Sequence, residues 1–124
     1  MDPLMLKSTP KTPEVNFDNN SGIFEIKGMS CAEYALDFYN QVFEWLDDYI
    51  KHPKPKTVLN IQFKYFNTSS AKCVLQLLER FSILSSNNHE VVINWIYSQN
   101  DEQMLHDGEN YSEILGMEFN LKEI

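Results

Sequence analysis

Apolar and polar side chains alternate from residue 57 to 66. Leu59, Ile61, Phe63 and Tyr65 fall on one side, and Asn60, Gln62 and Lys64 on the other. This period of two predicts a strand with one buried face. Residues 91–98 repeat it, with Val91, Ile93, Trp95 and Tyr97 set against Val92, Asn94, Ile96 and Ser98. Upstream, "EVNFD", "NNSG" and "IFEIKG" predict a hairpin, because Asn19-Asn20-Ser21-Gly22 supplies turn chemistry between two alternating runs. The spacing changes to a helical one at Ala35, Phe38, Val42, Leu46 and Tyr49, predicting a helix over 32–51. Ser30 is its expected N-cap, with Glu33 at capping-box distance and Pro53 and Pro55 as its stop. A second helix is predicted over 69–86, with a core stripe of Ala71, Val74, Leu75, Leu78 and Phe81. An acidic, less regular helix is expected over 101–115, and "GMEFNLKEI" closes the chain as a strand. Residues 1–12 read as an unanchored, flexible arm ahead of a single domain over 13–124, since Pro3, Pro10 and Pro13 oppose a helix there.

The resulting order, β-β-α-β-α-β-α-β, is that of an α/β protein in which strand–helix–strand units bring parallel neighbours and right-handed crossovers. A doubly wound sheet covered on both faces has strands that are apolar on both sides. These strands are apolar on one side only. The expectation is therefore a mixed sheet of about five strands with helices mainly on one face.

Composition narrows the function. The 124 residues suit one domain, and the 43% apolar content suits a folded one. A net charge of −8 with scattered Lys and Arg argues against nucleic acid and anionic membrane surfaces and favours a basic protein patch as partner. Cys31 and Cys73 stand far apart and read as reduced thiols. No apolar run reaches spanning length and "MDPLMLKSTPKTP" lacks the form of a secretory signal, so the cytoplasm is the expected location. The four glycines form no phosphate loop, and His52, His89 and His106 show no metal spacing, so neither cofactor nor metal is expected. His106-Asp107-Gly108-Glu109 is not an acid–base cluster, because consecutive helical residues point in different directions.

The joint between the strand at 57–66 and the following helix is Asn67-Thr68-Ser69-Ser70. One such residue suffices as an N-cap. Four small polar residues at the C-terminal end of a central strand occupy the place where α/β folds hold ligands and anions. Two chemistries fit beyond simple capping. A phosphate on Thr68 would be welcome at a helix start. Alternatively, Thr68 or Ser69 could be the nucleophile of a small hydrolase, given a converging His106 or Asp101. A scaffold domain indifferent to phosphate is the third reading.

"FKYFNTSSAK" at residues 63–72 resembles the signature of the SiaC family of bacterial regulatory phosphoproteins. The likeness continues in "FYNQVFEWLDDYI", "VVINWIYSQNDEQM" and "DGENYSEILGMEF", and covers roughly residues 9–120. That family is similar in fold to the STAS domain of anti-sigma-factor antagonists. The resemblance implies a non-enzymatic, partner-switching regulator in which Thr68 is the phosphorylated residue and Asn67, Ser69 and Ser70 shape the phosphoacceptor loop. It further implies a kinase of the histidine-kinase-like ATPase class, a PP2C-type phosphatase, and a diguanylate cyclase activated by the unphosphorylated form, so that cyclic di-GMP and biofilm formation rise.

Overall fold

The computed structural model describes residues 1–124 as a six-stranded sheet carrying three helices. In chain order these are β1 (Leu4–Leu6), β2 (Glu14–Asp18), β3 (Ile23–Ser30), α1 (Ala35–Lys51), β4 (Lys56–Phe66), α2 (Thr68–Ser86), β5 (Glu90–Tyr97), α3 (Glu102–Leu115) and β6 (Asn120–Glu123). The strands lie in sequence order across the sheet. The pairs β1–β2 and β2–β3 are antiparallel, and the pairs from β3 to β6 are parallel. Three successive crossovers of one hand, each advancing one strand in the same direction, deposit all three helices on one face. The expected one-sided mixed sheet is thus present, with one strand more than expected. The extra strand is β1, whose Leu4 and Leu6 pair with Phe17 and Val15 and tie down part of the segment expected to be an unanchored arm. The prolines do keep a helix out of this segment, but the three residues Leu4–Leu6 between Pro3 and Pro10 suffice for an edge strand.

The covered face is built from the residues the alternation selected. Phe24 meets Tyr49 of α1 and Phe81 of α2 edge to face, and Trp95 packs against Tyr111 of α3. Val15, Phe17, Phe24, Ile26, Leu59, Ile61, Phe63, Ile93 and Trp95 are all buried. Arg80 pins α1 to α2 from outside, its guanidinium 4.1 Å over the Phe43 ring and its Nε donating to Asp47 at 2.9 Å. On the uncovered face Asn60, Asn94 and Asn120 fall in register on neighbouring strands. Asn94 Nδ2 donates to Asn60 Oδ1 at 2.8 Å, and Asn120 Nδ2 donates to Asn94 Oδ1 at 3.1 Å. This amide row satisfies Asn94, only 7% exposed, and fixes register where no apolar core can do so.

One irregularity re-aims the end of β4. Gly28 pairs with Phe63 but Met29 pairs with Tyr65, so Lys64 is an extra residue in the ladder. A bulge of this kind reverses the alternation beyond it. Tyr65, assigned to the core by simple alternation, is 53% exposed. Phe66 takes the inward place, against Phe63, Trp95 and Tyr111. Gly28, at φ +114°, supplies backbone freedom on the facing strand.

Gly108 holds α3 against the sheet. A methyl group there would lie 2.5 Å from Cδ1 of Trp95, whose Nε1 donates to the Met104 carbonyl at 2.8 Å and so cannot swing aside. In an exposed helix Gly→Ala gains about 1 kcal/mol; here overpacking of about 1–3 kcal/mol opposes it. Gly108→Ala is expected to lower stability by up to about 2 kcal/mol on balance, seen as a lower urea midpoint with an unchanged slope.

Candidate functional site

The Asn67–Ser70 turn sits where β4 ends and α2 begins, beside the segment that joins β3 to α1. Asn67 is the N-cap of α2: its backbone is extended and its Oδ1 accepts from Ser70 N at 2.8 Å. Its Nδ2 donates to the Ala32 carbonyl at 3.1 Å, and its own amide donates to the Ser30 carbonyl at 3.0 Å. Ser69 faces α1 and accepts the amide of Ala35 at 3.2 Å. Ser70 is fully buried, and its Oγ accepts from Ser30 Oγ at 2.8 Å. Since Ser30 spends its single hydroxyl proton on Ser70, the Tyr39 hydroxyl, 2.7 Å away, donates to Ser30. Burial pushes the Tyr39 phenol well above its ordinary range, only partly offset by the Ser30 bond, so it stays protonated and able to donate. Three of the four side chains in the turn are therefore committed to structure.

Thr68 is the exception. It is the first residue of α2, is exposed, and its hydroxyl takes part in no hydrogen bond. The four-residue turn that looks over-provided in sequence divides its labour: Asn67 caps, Ser69 and Ser70 brace, and Thr68 is displayed. With the Ser70 and Ala71 amides held by Asn67, the amides of Thr68 and Ser69 are the open donors of this helix start. No carboxylate stands in the first turn of α2, and Lys72 lies one turn beyond Thr68.

Two expectations need correction. Ser30 does not cap α1. It ends β3, buried, and α1 begins at Ala35 after Tyr34, which makes no side-chain capping bond. The cap is supplied from another element, by Ser69, and a local motif search cannot see a partner 34 residues away. The stripe of α2 is also rotated: Ser70, Cys73, Leu77 and Leu84 are buried alongside Val74, Leu78 and Phe81, while Ala71 and Leu75 are half-buried. Its two polar members, Ser70 and Cys73, hid that face from an apolar count. The parts of the site not assigned from sequence are Ser30 and Tyr39; nothing in their spacing relates them to Ser70.

Asp101 and His106 do not converge on the turn. The Asp101 carboxylate caps α3 through the Met104 amide at 3.0 Å, and His106 is exposed on that helix. Both cysteines are free thiols; Cys73 is buried, and burial raises its pKa. Four carboxylates and no lysine or arginine lie on α3, and no helix is long and apolar enough to cross a membrane.

Known proteins share this fold over nearly the whole chain. An uncharacterised protein of Pseudomonas aeruginosa strain UCBPP-PA14, PA14_02130, is 24% identical over 119 residues, spanning 96% of this chain and 94% of that protein. The structure of SiaC of Pseudomonas aeruginosa superposes with a TM-score of 0.90 at 22% identity, covering 100% of both chains. A chain in the crystal structure of the diguanylate cyclase SiaD in complex with its activator SiaC, also from Pseudomonas aeruginosa, matches with a TM-score of 0.90 at 22% identity, covering 98% of this chain and 99% of that one. The family model for SiaC family regulatory phosphoproteins matches residues 6–124, and the chain belongs to that family.

Proposed function

We propose that this chain is a non-catalytic switch: reversible phosphorylation of Thr68 controls its binding to an output protein, a diguanylate cyclase that the unmodified form activates. A kinase of the histidine-kinase-like ATPase class writes the mark and a PP2C-type phosphatase removes it. The observation that carries this reading is that Thr68 alone in its turn is exposed with an uncommitted hydroxyl, whereas Ser69 and Ser70 hold the fold together. The SiaD–SiaC complex of a relative supports the choice of output protein.

The physics of the switch follows from its position. In the free protein a phosphate on Thr68 meets two open amides, the positive end of the α2 dipole and Lys72, an arrangement worth about 0.3–1 kcal/mol near a surface and up to ~2 when partly buried. The modified chain therefore stays folded. Under a docked partner the balance reverses. A neutral hydroxyl is covered at small cost when it finds a hydrogen bond. A phosphate of about −1.5 to −2 charge loses its water, and leaving it unpaired costs about 3–5 kcal/mol. That corresponds to roughly a hundredfold weaker binding or more. The rival reading as a hydrolase has no observation in its favour, because Thr68 has neither an acid–base partner nor an enclosed site around it.

The phosphorylated protein is expected to melt no lower than the unmodified one, whereas Ser70→Ala, which strands the buried Ser30 hydroxyl, is expected to cost about 1–3 kcal/mol; calorimetric melting of the three forms separates these effects. In titrations against the cyclase, Thr68→Ala is expected to bind within a few-fold of the unmodified protein. Thr68→Glu should bind about tenfold or more weakly, short of the full effect because a carboxylate carries less charge and fewer acceptors than phosphate. Tight binding and full cyclase activation by Thr68→Glu and by the phosphorylated protein would rule the switch out.

A further inference from the structure

The end of the sheet opposite Thr68 reverses the charge of the chain. Net charge is −8, yet Lys51, Lys54 and Lys56 follow one another closely, with His52 among them. This run leaves α1 and enters β4, at the far end of that strand from Thr68. Lys56 is paired with Glu90, and Lys51 with Asp48 at 3.4 Å, whereas Lys54 makes no ion pair. The β2–β3 turn faces the run. Between them is a polar cleft of about 560 Å³, walled by Asn19, Asn20, Asp48, Lys51, His52 and Lys54.

Both walls are held in place. The Lys54 amide donates to the hydroxyl of buried Tyr49 at 3.1 Å, and that hydroxyl also bonds Thr57 at 2.8 Å. Gly22 presses the turn against the same loop: a methyl group there would lie 2.6 Å from the Lys56 carbonyl oxygen. The Gly22 carbonyl in turn accepts the Val58 amide at 2.8 Å. Asp18 folds the turn by accepting the Asn20 amide at 2.9 Å. Asn19 Nδ2 donates to the carbonyl of Met1, which also borders the cleft, at 3.1 Å. Asn19 Oδ1 is then the one buried side-chain oxygen or nitrogen in the structure with no hydrogen-bond partner. Buried acceptors are ordinarily satisfied, and leaving one orphaned is costly.

We infer that this cleft binds a small phosphorylated polyol, a ligand of the sugar phosphate class. The phosphate takes the uncommitted ammonium of Lys54, with Lys51 and His52 beside it. A hydroxyl donates to Asn19 Oδ1, and Asp48 and Asn20 offer partners to the remaining hydroxyls. An anion without hydroxyls, such as sulfate, answers the lysines but not the Asn19 acceptor. A neutral sugar does the reverse. The two demands together select a ligand that carries both groups. The cleft has the volume of a small-molecule site, about 300–1,000 Å³. Clustered cations in a concave wall focus their field, so an anion is drawn here although the chain as a whole is acidic.

The experiment titrates the full chain with glucose 6-phosphate, glycerol 3-phosphate, sulfate and glucose, followed by amide NMR shifts. Both phosphorylated polyols are expected to move the amides of residues 18–22 and 48–54, to saturate in the millimolar range, and to leave residues 67–72 in place. Sulfate and glucose are expected to bind about tenfold more weakly or not at all. Lys54→Ala should weaken the phosphorylated polyols about tenfold with an unchanged melting temperature, because its side chain is exposed. Asn19→Ala should weaken them while leaving sulfate unaffected, a pattern that a merely loosened fold does not produce. Lys72→Ala, at the Thr68 end, is expected to bind like the unmodified chain. No saturable shift with either phosphorylated polyol up to about 10 mM, equal affinity for sulfate, or weakening by Lys72→Ala but not by Lys54→Ala would each overturn the site.

Discussion

The structure turns on how one helix start is satisfied. Every α-helix leaves its first amides without partners, and a buried hydroxyl without a partner is costly. At the junction of β4 and α2 these demands are met by a small lattice joining three elements: Asn67 to Ser30 and Ala32, Ser69 to Ala35, and Ser70 through Ser30 to Tyr39. The lattice locks the end of β3, the start of α1 and the start of α2 into one body. Once it is complete, the one side chain of the turn left over is Thr68. Display of that hydroxyl is a consequence of everything around it being engaged.

Two features upstream make the lattice possible. The bulge at Lys64 reverses the alternation of β4, so that Phe66 rather than Tyr65 turns inward beside Ser30, which the alternation of β3 through Phe24 and Ile26 already points toward Tyr39 and Ser70. The sequential strand order places α1 and α2 side by side on one face, which brings Ala35 within reach of Ser69. The other face bears polar side chains tied in part by the Asn60–Asn94–Asn120 row. With all helices on one side their N-terminal ends lie together, and here the Ala35–Ser69 bond ties the start of α1 to that of α2 beside Thr68.

The architecture was legible because its determinants are periodic. The alternation in β4 and β5, the stripe of α1 and the Asn-rich turn before Gly22 each point to the element that forms. What escaped was set by non-periodic or distant terms. A one-residue bulge changes nothing in composition but moves Tyr65 from inside to outside. Ser30 carried a convincing local capping signature, yet its hydroxyl was taken by a serine 40 residues away, and α1 is capped from another element instead. Edge strand β1 is too short to announce itself. At the site, the sequence suggested that Asn67 to Ser70 was more than a cap, but only the packing separates the displayed threonine from the two structural serines.

The account predicts a sharp chemical selectivity among adjacent hydroxyls: modification goes to Thr68, and its neighbours are withheld by burial and hydrogen bonding. The most direct measurement is phosphopeptide mapping of the full chain recovered from its native host with the kinase active. The predicted result is a single phosphate, on Thr68. Phosphate on Ser69 or Ser70, or a chain that stays unmodified with the kinase active, would contradict it.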